Sequence, residues 1–383
     1  RDNCCYIHVT MIPNLKTTSE LKTKPTQHSV DTLRSRGIQP DILACRTEKN
    51  LGTSIREKLS LFCDVDPNCV IQCRDVQHLY EVPLNLEQEG LAERVLEKLR
   101  LPNTEPDLAA WQDLVERVKH PEKQVTVAIV GKYVMLSDAY LSVVESLKHA
   151  GAKLSTQVNI KWVLSEDIEK HNAETYLADV DGILVPGGFG DRGIEGKIAA
   201  AGYARKNNIP FLGLCLGMQI AVIEFARNVA EMPNAHSTEF DAASPFPVID
   251  LMPDQHSVTH KGGTMRLGRY PCLLKAGSIA AKVYGQTEIS ERHRHRYEVN
   301  NDLREDLAKK GLVFSGLSPD ERLVEMIELP GHPYFVACQF HPELKSRPDQ
   351  AHPLFVGLVE AMIKEADMKG KANIIAAKET LSK

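Results

Sequence analysis

Cys215 stands in the run Gly213-Leu214-Cys215-Leu216-Gly217, between an apolar stretch (IPFLGLC) and an amphipathic one (GMQIAVIEFARNVA). This is the spacing of a nucleophile elbow, in which a strand turns sharply into a helix and projects its central side chain. The flanking glycines lack Cβ atoms and so permit the close turn. At a helix N-terminus the dipole and the free N–H groups favour a thiolate. A thiolate nucleophile needs a base, and the base needs an orienting group. His341 follows the strand-like YFVACQF and can be that base; Glu343 lies two residues on, past Pro342, and can turn back to the imidazole. Pro186-Gly187-Gly188-Phe189-Gly190 follows DGILV and can supply an oxyanion hole. The N–H groups of Gly188 and Leu216 would be its donors, each contributing on the order of 3 kcal/mol. A phosphate-binding reading of the same glycines does not fit the Walker spacing. The chemistry predicted is acyl transfer through a cysteine-bound intermediate.

The elements that must position these groups alternate along the chain. From Val125, TVAIVGKY reads as a buried strand and DAYLSVVESLKHA as a helix capped by Ser137 and ended by Gly151. The strands VNIKWVL, DGILVPGG and IPFLGLC follow, with GKIAAAGYARKNN and GMQIAVIEFARNVA as helices between or after them. Such alternation predicts a mostly parallel sheet with helices on both faces and catalytic groups at the strands' carboxyl ends. After about Asn234 the pattern turns to shorter strands and turns. Residues 1–103 show their own α/β pattern, with IQPDILACR and CVIQC as strands and SVDTLRSRG and IREKLSLF as helices. Residues 104–123 are expected to form a linker helix, 124–364 the catalytic domain and 365–383 a flexible tail. The fold class is therefore α/β, with two doubly wound, mostly parallel sheets.

With 383 residues, a net charge of −5 and a pI near 6.3, the chain carries no basic footprint for nucleic acid. No apolar run is long enough for a membrane span. Nine cysteines in a chain this size are expected to be reduced, which points to the cytoplasm. Cys63, Cys69 and Cys73 lack paired CxxC spacing and are read as buried structural thiols; no metal ligands are assigned. The chain begins at Arg1 and enters a strand almost at once, from which we expect a further N-terminal segment.

PGGFG, GLCLGMQ and FHPE together resemble the class I glutamine amidotransferases. The stretches KTKPTQHSV, GKYVMLSDAY, ILVPGGFGDRGIEGK, STEF, GGTMRLG and ERHRHRYEVNN extend the resemblance to the CTP synthases, from about Asp2 to about Val359. The resemblance implies ATP-dependent amination of UTP to CTP, with ammonia from glutamine hydrolysed at Cys215, His341 and Glu343. It implies activation by GTP and inhibition by CTP. Residues 1–103 would be the C-terminal portion of a Rossmann-like amidoligase domain, and magnesium ligands would lie in the expected N-terminal segment. Gly188, Leu216, Gly217, Met218 and Gln219 match glutamine-contacting positions. Glu239 and Arg296 match the residues that hold the ammonium and carboxylate ends of glutamine, a pairing that charge and fork geometry favour. Lys22, Thr23, Lys24, Pro25, Thr26, Gln27 and Lys58 match the UTP and CTP site. Arg74, Asp75 and Val76 match positions near ATP, with Arg74 where the family usually has Lys. His236 replaces the Asn of the family's NANSTEF. The partners implied are UTP, ATP, glutamine, GTP and copies of the same chain in a homotetramer.

In ERHRHRYEV an extended segment puts Arg292, Arg294 and Arg296 on one face and His293 and His295 on the other. A solvated basic strand explains that composition. The resemblance instead implies a lid beside the glutamine site, with Arg266 facing GTP. The rival readings are a stand-alone glutaminase or another class I amidotransferase, and a non-catalytic filament-forming subunit. KTKPTQHSV and the RHRHR segment argue against the former, the intact Cys215, His341 and Glu343 against the latter.

Overall fold

The computed structural model describes residues 3–15, 17, 20–252, 265–368 and 370. The chain divides into two compact units, Arg1–Lys119 and His120–Lys383. The predicted tail falls mostly at 371–383, outside the described residues, although the last helix, Pro353–Met368, runs into its start. Gly262, Gly263 and Thr264 of GGTMRLG also lie outside them. Among the described residues no helix is long and apolar enough to cross a membrane.

The first unit is built on a parallel sheet in the order Ile7–Met11, Ile42–Thr47, Val70–Arg74. Ile42, Leu43 and Cys45 of the central strand join Val30, Leu59, Cys63, Cys69 and Ile71 in its core. Burial pushes the Cys63 and Cys69 thiols up, as an apolar environment disfavours thiolate. The helix Ala109–Lys119 lies in this unit, where Trp111 Nε1 donates to Tyr80 O at 2.8 Å.

The second unit is organised by a nine-stranded sheet. Phe335–Cys338, Phe211–Leu214, Gly182–Val185, Lys123–Gly131 and Thr156–Leu164 run parallel, in that spatial order. Alternate residues of one strand feed opposite cores, as a period of two requires. Ala128 and Val130 pack with Ile198, Ala201, Ile220 and Ile223; Val127 and Ile129 pack with Leu147, Phe355, Leu358 and Met362. The helices Ile194–Asn207 and Leu216–Asn228 thus cover one face, and Leu141–Lys153 and Pro353–Met368 the other. Arg205 joins the first two through both oxygens of the buried Glu224, at 2.8 Å each.

The expected parallel order holds in the first unit's sheet and, in this one, over these five strands. Glu288–His295, Arg266–Leu274, Val313–Leu317 and Val324–Glu328 complete the sheet by antiparallel pairing up to Phe335–Cys338. The links at 318–323 and 329–334 are too short for the crossover that a parallel return demands. Two local expectations also moved. The helix expected at Ser137 begins at Leu141, after a 3-10 turn over Ser137–Tyr140. It passes Gly151 and ends at Lys153; a Cβ at Gly151 would stand 2.5 Å from Thr156 O, so close packing explains that glycine.

Candidate active site

Cys215 occupies the junction of Phe211–Leu214 and Leu216–Asn228 with φ 51 and ψ −102, a left-handed, strained conformation for a residue with a Cβ. Its N–H donates to Cys338 O at 2.7 Å, which ties the elbow to the neighbouring strand. Tight packing fixes the flanking glycines: a Cβ at Gly217 would meet Val185 O at 2.1 Å, and one at Gly213 would meet Gly217 O at 2.6 Å. Because Leu214 is in register with Cys338, the chain leaving the second strand delivers His341 to the same end of the sheet as Cys215. The His341 amide is held by Arg292 O at 2.8 Å.

His341 Nδ1 and Glu343 Oε1 are 2.7 Å apart, with little exposure of either side chain. His341 Nε2 is buried without a hydrogen-bond partner among the described residues. The Cys215 sulfur stands beside the ring without a hydrogen bond of good geometry, yet it acts on it strongly. Burial alone would push the imidazole down; Cys215 and Glu343 outweigh burial and raise it to about 11. A Cβ at Gly187 would lie 3.0 Å from His341 Cε1 and 3.5 Å from Cys215 Cβ. Any larger residue there would press between nucleophile and base.

The oxyanion loop flanks this pair. Neither the Gly188 nor the Leu216 amide donates a hydrogen bond among the described residues, so both remain available. Lys197, 1% exposed, places Nζ 3.7 Å from where a Gly188 Cβ would stand. Burial, then Lys132 and Arg192, lower this ammonium to about 8. Lys132 Nζ donates to Phe189 O, and Arg192 to Lys132 O at 3.3 Å. The loop that would receive a developing oxyanion is thus backed by positive charge. Sequence reasoning missed Lys197, although it ends the stretch ILVPGGFGDRGIEGK, and it named Gly187 only as part of the oxyanion loop.

Other predicted glutamine contacts sort by side chain. Met218 and Gln219 are buried, Gln219 Nε2 donating to Tyr297 O at 3.0 Å and Gln339 Oε1 at 3.2 Å. Their side chains therefore face inward, leaving their backbone and that of Leu216 and Gly217 to line the elbow. Glu239 and Arg296 both act electrostatically on Tyr297, which places the two charges around one ring. His236 accepts from the Ser237 amide and stands 3.7 Å from Glu195.

The RHRHR segment is the strand Glu288–His295, with Arg292 and Arg294 exposed and His293 and His295 buried, the alternation expected. Burial depresses both histidines, His295 to about 3 and His293 further, so they are neutral in the fold. Arg266 is turned inward, 2.7 Å from the buried Glu325 and over the Tyr270 ring. That orientation does not present its guanidinium to a nucleotide.

In the first unit, Lys22, Lys24 and Lys58 supply cationic groups around the start of the helix Lys24–Ser35. Lys22 pairs with Glu20, on which Lys58 also acts, and Lys24 lies over the Phe62 ring. Thr23 precedes that helix and Pro25 opens it. Thr26 and Gln27 are buried and internally bonded, Thr26 to Thr10 Oγ1 and Met11 O, Gln27 to Thr23 Oγ1. Arg74 ends the strand Val70–Arg74, and Asp75 and Val76 follow it; Arg74 bonds Asn50 Oδ1 at 3.3 Å and Asp75 faces Arg46 at 3.3 Å.

The profile of the family described as "Glutamine amidotransferase class-I" matches residues 135–361, and that described as "CTP synthase N-terminus" matches residues 1–101. A CTP synthase of Carboxydothermus hydrogenoformans is 60% identical over 364 residues, covering 95% of this chain and 68% of that protein. One from Methanocaldococcus jannaschii is 58% identical over 371 residues, covering 95% of this chain and 69% of that protein. The glutaminase domain of the Trypanosoma brucei CTP synthase, solved with bound acivicin, superposes with a TM-score of 0.59 at 42% identity, over 63% of this chain and 94% of that one. The chain spans about two thirds of the length of these full relatives. With both profiles matched in order and identities this high over nearly its whole length, the chain belongs to the CTP synthase family of glutamine-hydrolysing ligases.

Proposed function

We propose that the second unit hydrolyses glutamine at Cys215 and that the ammonia released serves ATP-dependent amination of UTP to CTP. The observation that carries this reading is the strained Cys215 elbow beside a His341 held by Glu343 at 2.7 Å. The sulfur lone pair attacks the amide carbon of glutamine, and the carbonyl electrons move to an oxygen facing the Gly188 and Leu216 amides. Protonated His341 gives its proton to the nitrogen as the C–N bond breaks, releasing ammonia and leaving a thioester. Neutral His341 then takes a proton from water, which attacks the thioester; the S–C electron pair returns to sulfur and glutamate leaves. Glu239 and Arg296 hold the ammonium and carboxylate of the substrate. Lys22 to Gln27 with Lys58 form the site for UTP or CTP, with Lys22, Lys24 and Lys58 supplying charge, the helix start supplying amides, and the Thr26 and Gln27 side chains engaged inside the fold. Arg74 to Val76 lie near ATP. Activation by GTP, a homotetramer and a cytoplasmic location belong to the same reading.

Magnesium would neutralise phosphate charge in that synthesis. Among the described residues no group of three or more His, Cys, Asp or Glu side chains stands together to hold an ion, and no step is assigned to one. The test is glutamine hydrolysis by Cys215→Ala. The variant should fold and release no glutamate above background; retained hydrolysis would sink the triad assignment.

A further inference from the structure

A fully buried amide behind the nucleophile is not used by the triad. Gln339 follows the strand Phe335–Cys338 and is 0% exposed. Its Nε2 stands 3.6 Å from Cys215 Sγ, within hydrogen-bond range for sulfur. Its Oε1 is 3.2 Å from Gln219 Nε2, which also lies 3.0 Å from Tyr297 O. Together these contacts determine which way both amides point. Tyr297 O can only accept, so Gln219 must turn its NH2 group towards it. The same NH2 group then faces Gln339, which must answer with its oxygen. That leaves the Gln339 NH2 group aimed at sulfur. A flipped Gln339 would set two NH2 groups against each other and a carbonyl against the nucleophile.

We infer that Gln339 is a catalytic hydrogen-bond donor to the Cys215 sulfur, aimed by Gln219 as a positioning residue. The inference rests on the reading of Cys215 as the nucleophile.

Gln339 is also anchored through its backbone. The Gln339 amide N–H donates to Glu325 O at 2.8 Å. The Glu325 carboxylate is held by Arg266 at 2.7 Å and faces His293 at 3.4 Å. His293 Nδ1 and His295 Nε2 are 3.0 Å apart, and His295 Nδ1 lies 3.1 Å from Tyr297 O, the carbonyl that Gln219 also uses. Neutral His295 donates from Nδ1 to Tyr297 O, so each contact from His295 to Gln339 has one donor and one acceptor.

An N–H donor strengthens its bond when the acceptor is charged. Gln339 therefore favours thiolate over thiol. In the cycle, sulfur gives up its charge on attacking glutamine and regains it when the S–C pair returns during thioester hydrolysis. Gln339 assists that second departure, a task distinct from the acid–base work of His341. The titratable groups packed around the sulfur are His341 with Glu343 behind it and Cys338 on the neighbouring strand. His293 and His295, from the lid strand, are neutral.

The test is the pH dependence of Cys215 alkylation by iodoacetamide, read on the Cys215 peptide by mass spectrometry, in the whole chain and in Gln339→Met and Gln339→Glu. Loss of the donor in Gln339→Met should raise the midpoint by about one pH unit, a roughly tenfold lower thiolate fraction below it. Gln339→Glu, which sets an acceptor against sulfur, should raise it further, with kcat for glutamine falling more than KM rises. Variants that melt like the wild type and keep its midpoint would overturn the inference, since filling the core would then be the residue's whole role. Should both variants fail to fold, the side-chain amide protons of 15N-glutamine-labelled wild type decide. One pair must shift with the Cys215 midpoint and cease to do so in Cys215→Ser; absence of such a pair overturns the inference. If Cys215 fails to react while the exposed Cys4 does, the nucleophile reading itself falls and takes this inference with it.

Discussion

Glu343→Gln removes a charge and almost nothing else. The His341–Glu343 contact is 2.7 Å between two mostly buried groups, a charge-assisted hydrogen bond. Such a bond contributes about 1.5–3 kcal/mol, roughly one to two pK units on the imidazole. His341 now stands at about 11, raised by Cys215 and Glu343 against the opposing effect of burial. The substitution should therefore lower it by roughly one to two units. The imidazole stays protonated near neutral pH, so ammonia can still be released. The loss falls on the alignment and stability of the imidazolium, and kcat/KM for glutamine should drop roughly 10- to 100-fold. The alkaline limb of the pH–rate profile should move down by the same one to two units, because catalysis is lost where His341 loses its proton. The assay is glutamate release across the alkaline range for wild type and variant. A variant of unchanged rate whose alkaline limb stays in place would refute the reasoning, since Glu343 would then not be the imidazole's partner.

Two further outcomes follow from the substrate clamp and the buried histidines. Glu239→Ala and Arg296→Ala should each weaken glutamine use by roughly 2 kcal/mol or more, seen mainly in KM, because each leaves one charged end of the ligand unpaired. A fall in kcat alone, or a loss of Cys215 alkylation, would show that they act through the fold instead. His295 is neutral in the fold, depressed to about 3 by burial and by Arg266, whereas the unfolded chain protonates it near its ordinary value of 6.5. Its contribution to stability is present above that value and is lost as pH falls towards 3, since only the unfolded state gains the proton. His295→Gln should flatten this acid dependence by up to about 1.4 kcal/mol per pH unit, measured as urea midpoints across the window; an unchanged slope would contradict the assignment.

The chemistry was legible in the sequence because three short motifs each carry a mechanical requirement. Gly213 and Gly217 leave no room for a Cβ, and Cys215 between them can only be a junction. The alternation of Arg292 to Arg296 likewise separated arginines from histidines but did not say which face would be buried, and the strand ends at His295. What the sequence concealed depends on long-range pairing. That Phe335–Cys338 lies beside Phe211–Leu214, and so carries His341 to Cys215, follows from sheet order and not from either segment alone. The antiparallel half of the sheet was hidden because short buried strands read alike in both directions. Gln339 adjoins the FHPE motif, yet nothing local says that its amide meets sulfur; that needs Gln219 from another element to set its orientation. Residues matched as nucleotide contacts, such as Thr26 and Gln27, are engaged inside the fold, a distinction that sequence position does not carry.

The central claim is that glutamine passes through a covalent bond to Cys215. Acid quenching of the protein during glutamine turnover, followed by peptide mass spectrometry, tests it most directly. The account predicts a γ-glutamyl thioester on the peptide that contains Cys215, released by hydroxylamine and absent from Cys215→Ala. Turnover with no adduct on that peptide, or an adduct mapped to another cysteine, would contradict it.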